Sequence, residues 1–158
     1  MKSGFMRYGY ADGTVKTKLH EKWIKINGLS FNVTSNGLHD LTMSGLKHHA
    51  NFSTITVTKV ADRSFMGLLA ASCQGKVDKN QTQIDFGEMH GDNMSVIESY
   101  VLKDSYIQSF SKNLSPNGEM LEQIVIGFSS IHITYTEYDE KGQAFNKIDY
   151  EHKTENAV

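Results

Sequence analysis

The chain has 158 residues, with 16 Lys and Arg against 18 Asp and Glu, which gives a formal charge of −2 at neutral pH. This near-neutral balance offers no cationic stripe for a row of phosphates, so no nucleic acid is expected as a partner. No stretch approaches the roughly 18 apolar residues of a membrane-spanning helix, so no membrane insertion is expected, and the length predicts one domain over residues 1–158.

Cysteine usage and the N-terminal residues indicate the folding compartment. Cys73 is the single cysteine, so no internal disulfide can form, and this favours folding in the cytoplasm. The opening residues "MKSGFMRYGYADG" have two cations but no apolar run behind them. They therefore do not form a Sec-type signal peptide, and no cleaved signal is expected.

The first clear β pattern lies in "EKWIKINGLSFNV", where the apolar positions alternate but change parity. Ile24 and Ile26 fall on even positions, whereas Leu29, Phe31 and Val33 fall on odd ones. A bulge or sharp coil at Asn27-Gly28 would keep both halves facing one core.

A long segment without a clean β pattern follows, and we predict an extended loop over about residues 35–50. Loops of this length in compact domains are usually functional or mobile. Four apolar side chains are too many for a freely solvated loop; they are Leu38, Leu41, Met43 and Leu46.

The stretch "ITVTKVADRSFMGLLAASCQGK", residues 55–76, predicts a strand followed by one short α-helix over about residues 63–74. Asp62 or Ser64 can cap the first free amides, and Gly75 stands where a helix commonly ends. Phe65, Leu69 and Cys73 recur at helical spacing, so we interpret Cys73 as a small buried residue. Gly67 weakens a helix by about 1 kcal/mol relative to alanine, so we expect something to pack closely against it.

The rest of the chain predicts long antiparallel strands. A hairpin turns at "HGDN", residues 90–93, because these residues tolerate positive φ. A second change of parity, in "EQIVIGFSSIHITYTEY", places Ile131, Ile133 and Tyr135 toward the core beyond a predicted bulge at Ser129-Ser130. Strands that bend in this way suit a closed antiparallel β-barrel or two packed sheets, so the fold class is mainly all-β.

Sequence motifs for catalysis are absent. No phosphate loop, nucleophile elbow or His-Glu-x-x-His motif occurs, so no enzyme, cofactor or metal is expected. Cys73 falls at the C-terminal end of the predicted helix, where the dipole disfavours a thiolate. His48 and His49 point to opposite sides of an extended backbone, although His39 with either of them on a folded loop could hold a metal. His132 lies between core-facing Ile131 and Ile133, so its side chain is expected to point to the surface.

The order of these pieces resembles the haemolysin-coregulated protein (Hcp) family, the tube subunit of the bacterial type VI secretion system. "YADGTVKTKLHEKWIKINGLSFNV" resembles the family's opening strand, glycine turn, His-x-x-apolar step and second strand. Residues 55–76 resemble its strand ending in Lys-x-x-Asp followed by the helix. "VLKDSYIQSFS" and "EQIVIGFSSIHITYTEYDEKGQ" are similar to its later strands, although the family's glycine-rich loop is here replaced by leucines and histidines.

The resemblance implies a secreted structural protein rather than an enzyme. It implies hexameric rings that stack into a hollow tube, with a spike protein at the tip, a contractile sheath around it and effector proteins in the lumen. The protein would lie in the bacterial cytoplasm before firing and be secreted afterwards. Candidate subunit or ring-stacking contacts lie in the long loop; they are Leu38, Leu41, Met43, Leu46 and His48.

Two alternatives stay open at this point. One is a β-barrel that binds a small ligand or carbohydrate without forming a tube, as closed barrels can. The other is an enzyme or metal protein built on the loop that carries the histidines.

Overall fold

The structure, a computed structural model, describes residues 1–35 and 50–154. Within these ranges the chain forms β-strands and one α-helix, which confirms the predicted fold class. The early strands are β1 (Lys2–Arg7), β2 (Ile24–Ile26), β3 (Gly28–Ser30), β4 (Val33–Ser35), β5 (Ala50–Phe52) and β6 (Ile55–Val60). The helix α1 (Phe65–Gln74) precedes β7 (Val77–Asp78), β8 (Thr82–His90), β9 (Asn93–Lys103), β10 (Ser105–Leu114), β11 (Met120–Gly127), β12 (Ser130–Tyr138) and β13 (Ala144–Lys153).

The strands form two large antiparallel sheets and one small ribbon. The first sheet has six strands in the order β13-β12-β9-β8-β1-β2, and the second has five in the order β3-β6-β11-β10-β7. The ribbon pairs β4 with β5. Inward-facing side chains from both large sheets and from α1 form one buried cluster, whose fully buried members include Met6, Ile24, Ile55, Val57, Leu68, Leu102, Ile124, Ile126 and Ile131.

The predicted bulge or sharp coil at Asn27-Gly28 and the predicted bulge at Ser129-Ser130 are both corners where the chain passes from one sheet to the other. The chain leaves β2 of the six-stranded sheet at Asn27 and enters β3 of the five-stranded sheet. At Phe128-Ser129 it passes from β11 back to the six-stranded sheet. Corners of this kind reorient the backbone between crossed sheets, so the inward-facing parity changes without an extra residue in one ladder.

The side chains beyond these corners are less buried than the sequence predicts. Leu29 is half-buried against the core, but Phe31 and Val33 are exposed. In β12, Ile131 is buried and Ile133 is half-buried, whereas Tyr135 is exposed. The expectation that whole strands face the core is therefore wrong at their outer ends, where burial falls from Ile131 through Ile133 to Tyr135.

The helix confirms several predicted local features. Gly75 ends the helix with a φ of 61°, as predicted. The predicted side-chain cap at the start is wrong: Ser64 stands at the N-cap position without a capping hydrogen bond, and Asp62 Oδ1 accepts the N–H of Ser64, ahead of the helix, at 2.9 Å. A Cβ on Gly67 would lie 2.4 Å from the carbonyl oxygen of Tyr10, which is the close packing that the sequence predicts. Helix α1 packs on β10, where the rings of Phe65 and Phe110 lie 5.9 Å apart.

The buried face of the helix differs from the predicted one. Leu68 and Ala71 are the buried residues of α1, whereas Leu69 is only half-buried and Cys73 is exposed. The interpretation of Cys73 as a buried residue is therefore wrong. Successive residues of a helix point about 100° apart. Because Leu68 faces the core, its neighbour Leu69 and the rest of the predicted face point to one side of it.

The predicted hairpin is confirmed, whereas the predicted position of the opening strand is wrong. β8 and β9 pair from Thr82 to His90 with a turn at Gly91-Asp92, and Gly91 has a φ of 63°, as predicted. The opening strand, in contrast, is Lys2–Arg7. It precedes the segment that the resemblance assigns to it, and residues 12–23 instead form an irregular loop between β1 and β2.

Candidate assembly surface

The contact residues predicted from the sequence lie outside the described residues. These are Leu38, Leu41, Met43, Leu46 and His48. The ribbon at the base of this segment is described, and it pairs Ser35 with Ala50 directly. The two end residues of the predicted loop, Ser35 and Ala50, therefore lie side by side, and both belong to strands rather than to a loop.

An aromatic cluster fixes this base to the two large sheets. The ring of Phe52 stacks on Phe31 at 5.1 Å and on His152 at 5.6 Å, and it meets Phe128 edge-on at 5.7 Å. Rings at these separations add about 0.5–1.5 kcal/mol per pair beyond the area they bury. The cluster holds β5 of the ribbon against the corner at Phe128 and the end of β13.

An exposed apolar strip lies on β12 and β13, where the inner face of the six-stranded sheet extends past the core. Register places Tyr135 opposite Ile148 and Ile133 opposite Tyr150, so all four side chains share the face that carries buried Ile131. Tyr135, Ile148 and Tyr150 are 44%, 56% and 67% exposed. We call these three residues the β13 strip, and its exposure is typical of a protein interaction site.

Carboxylates surround the β13 strip. Glu98 on β9 lies opposite Tyr135, and Glu137 lies next to it along the same face of β12. Glu98 accepts a hydrogen bond from the Tyr100 hydroxyl at 2.6 Å. Burial, followed by this bond to Glu98, raises the pKa of Tyr100 above its ordinary value, so the phenol stays protonated and keeps Glu98 in place.

β13 also forms one end of the six-stranded sheet. Its only strand partner among the described residues is β12, and nearly all of its residues are exposed. A strand in this position offers unpaired backbone N–H and C=O groups for pairing with another chain. The edge and the β13 strip together form a candidate assembly surface.

Sequence reasoning missed this surface. The signal was the alternation of Ile148 and Tyr150 with charged residues in "NKIDYEHK", which predicts a half-buried strand. Alternation alone gives two faces of a strand, and it does not say that the apolar face of β13 is exposed.

A buried histidine and carboxylate form the arrangement closest to an enzyme's active site. His20 Nε2 lies 2.8 Å from Asp85 Oδ2, and both side chains are buried. The hydroxyl of Ser99 donates to Asp85 Oδ1 at 2.7 Å. The serine therefore contacts the carboxylate and not the imidazole, so the histidine is not placed to take its proton as a nucleophile requires.

A second buried polar group fixes the start of α1. The Nζ of Lys59 donates to Glu122 Oε1 at 2.7 Å and to Asp62 Oδ1 at 3.0 Å. Lys112 Nζ lies 3.3 Å from the other oxygen of Glu122 and 3.4 Å from the centre of the Phe65 ring. These ion pairs join β6, β10 and β11 to Asp62 in the turn before α1, which indicates a structural role.

The described residues contain neither a metal-binding cluster nor a membrane-spanning helix. Within residues 1–35 and 50–154, no three His, Cys, Asp or Glu side chains come close enough together to hold a metal ion. His39, His48 and His49 lie outside these ranges. His132 is on the surface side of β12, as predicted, and its Nε2 lies 3.0 Å from Asp149. No helix in the described part of the chain is long and apolar enough to cross a bilayer.

A family model and several solved structures of type VI secretion system proteins match this chain. The family described as type VI secretion system effector, Hcp, matches residues 5–135. A type six secretion system protein is 21% identical with a TM-score of 0.82, over 94% of this chain and 92% of that one. Hcp1 from Salmonella typhimurium is 18% identical with a TM-score of 0.75, over 96% and 94% of the two chains. A type VI secretion system effector from Yersinia pestis is 15% identical with a TM-score of 0.74, over 96% and 99%. None of the curated proteins matches the chain.

Proposed function

The chain belongs to the Hcp family of type VI secretion tube proteins, and we propose that its copies form hexameric rings that stack into a hollow tube. In this proposal the tube carries effector proteins in its lumen, bears a spike protein at its tip and is surrounded by a contractile sheath. The protein lies in the bacterial cytoplasm before firing and is secreted with the tube. It acts as a structural carrier, and its chain is one domain over residues 1–158.

The β13 strip is the observation that carries this proposal. Three exposed side chains continue the inner face of a large sheet. Two of them, Ile148 and Tyr150, lie on β13, whose second edge has no strand partner among the described residues. Such a surface risks aggregation in a monomer, but it becomes an interface when the neighbouring copy covers it. Identical copies in a ring require a head-to-tail contact of this kind.

Assembly of the purified protein tests the proposal. We expect size-exclusion chromatography with light scattering to give a hexamer, and negative-stain electron microscopy to show rings. Ile148→Asp places a charge on the β13 strip and should shift the protein toward monomer. Met66→Asp is the control, because Met66 is as exposed as the strip residues but lies on the first turn of α1, where an acid is favourable. A wild-type protein that stays monomeric at high concentration would contradict the proposal.

Secretion and stacking need separate tests. Secretion of the protein should stop in a strain that lacks a functional sheath. Charged substitutions at Leu38 or Leu46 should weaken ring stacking or a subunit contact. If assembly of these variants matches the wild type, the loop residues are not contacts.

A cleft at the mouth of the two-sheet core favours the alternative of a small-ligand-binding barrel. It has a volume of about 710 Å³ and is lined mainly by β1, β2, β3, β8 and β9, with Phe31, Phe86, Glu98 and Tyr100 among its side chains. A monomeric protein that retains a small molecule through purification would favour this alternative over the tube.

A further inference from the structure

Leu19 is a large apolar residue held in an unfavourable backbone conformation on the surface. Its φ is 69°, in the left-handed region, and its side chain is 84% exposed. L-residues other than Gly, Asn and Asp rarely adopt this conformation. Backbone strain of this kind persists only where the surrounding structure imposes it, and it clusters at functional sites.

The loop of residues 12–23 imposes this conformation through bonds on both sides of Leu19. The N–H of Lys18 donates to the carbonyl of Asp92 at 2.9 Å, and the N–H of His20 donates to the carbonyl of Thr17 at 2.9 Å. The imidazole of His20 is buried at Asp85, 4.5 Å from the Trp23 ring. Because His20 is anchored inward, Leu19 is fixed outward on a rigid loop.

The charges around Leu19 are opposite to those around the β13 strip. The exposed charged residues within three positions of Leu19 are three lysines and one acid, which leaves a net positive charge there; they are Lys16, Lys18, Lys22 and Glu21. Two acids lie on the same face as the strip; they are Glu98 and Glu137. Surfaces with complementary charge steer association and fix the register of a contact.

The two surfaces lie at opposite ends of one sheet. The loop joins β1 to β2, which end the six-stranded sheet on one side, and β13 ends it on the other. A contact between unlike ends of neighbouring copies is heterologous, so it repeats from copy to copy and closes into a ring if the rotation permits.

We infer that Leu19 of one copy seats on the β13 strip of the next copy, with the loop lysines facing the carboxylates around the strip. The inference rests on the proposed function, since it names the two surfaces through which the ring closes. Leu19 then acts as an apolar anchor, and the strained loop presents it in its bound conformation before association.

Leu19→Gly separates this role from a structural one. Glycine accepts the positive φ without strain, so the isolated subunit should be at least as stable as the wild type. Loss of the leucine side chain from the interface should nevertheless raise the dissociation constant of each subunit contact by at least about tenfold. The matched control is Gln81→Gly, because Gln81 has a φ of 62° and is also exposed; it should relieve strain without changing association.

Measurements on the three proteins decide the matter. Association is followed by light scattering over a dilution series, and folding of each variant by circular dichroism. Leu19→Gly protein that forms rings at the same concentration as the wild type would overturn the inference while leaving the proposed function intact. A monomeric wild type would overturn both.

Cross-linking tests the pairing of the two surfaces directly. Leu19→Cys and Ile148→Cys are combined in a Cys73→Ser background and oxidised with diamide. We expect a ladder of covalent oligomers on a non-reducing gel, ending at the ring size, whereas each single-cysteine variant gives dimers at most. Rings without a ladder in the double variant would show that the contact lies elsewhere.

Discussion

Gly67→Ala tests how closely α1 packs on the N-terminal segment. In an isolated helix alanine is favoured over glycine by about 1 kcal/mol, so sequence reasoning alone predicts a more stable protein. In the structure the added Cβ would lie 2.4 Å from the carbonyl oxygen of Tyr10 and 2.8 Å from the Cβ of Ala11. Overpacking costs about 1–3 kcal/mol, and the upper end applies because the colliding oxygen belongs to the main chain. We therefore expect a net loss of about 2 kcal/mol in the free energy of unfolding.

Urea denaturation followed by circular dichroism measures this loss. All proteins are compared at one protomer concentration, because assembly contributes to apparent stability. Met66→Ala is the control: Met66 precedes Gly67 in the same helix but is 68% exposed, so its free energy of unfolding should change by less than about 0.5 kcal/mol. A Gly67→Ala protein as stable as the wild type, or more stable, would refute the packing argument.

Two further predictions concern buried polar groups. Lys59→Met leaves the carboxylate of Glu122 buried with one remaining cation, so unfolding free energy should fall by about 3 kcal/mol, and adding Glu122→Leu should recover most of it; equal losses in urea titrations of both variants would count against this. Burial, followed by the charge of Asp78, raises the pKa of Tyr8 to about 12. An unfolded chain releases this proton near the ordinary pKa of 10.0, so wild-type stability should fall as pH rises from about 10 to about 12. Tyr8→Phe should lessen this fall. The Tyr8 hydroxyl is buried without a hydrogen-bond partner among the described residues, so its removal should also raise the free energy of unfolding at pH 7 by about 1 kcal/mol. A variant that is less stable than the wild type at pH 7, or that loses stability above pH 10 as steeply as the wild type, would contradict this prediction.

Local features of the fold could be predicted because neighbouring residues determine them. The turn at Gly91-Asp92 needs a positive φ, which glycine supplies, and Gly75 ends α1 for the same reason. Gly67 is unfavourable within a helix, and this local conflict correctly predicted a close contact, although the sequence could not show that Tyr10 supplies it.

The corners of the fold could be located from the sequence but not interpreted. The apolar parity changes at Asn27-Gly28 and at Ser129-Ser130, and the structure bends at both places. A bulge within one sheet and a passage between two sheets give the same change of parity. Pairing with strands distant in sequence decides between them, so only the tertiary structure could.

The fold class, the helix α1 and its end at Gly75 could be predicted from the amino-acid sequence, because they follow from periodicity and from local backbone preference. Which apolar residues are exposed could be seen only in the folded protein. Tyr135 and Ile148 have the same alternation as buried strand residues, yet they are exposed because the core cluster of buried side chains does not reach them. Leu19 is similar, since its outward position depends on the anchoring of His20 at Asp85, a residue 65 positions away.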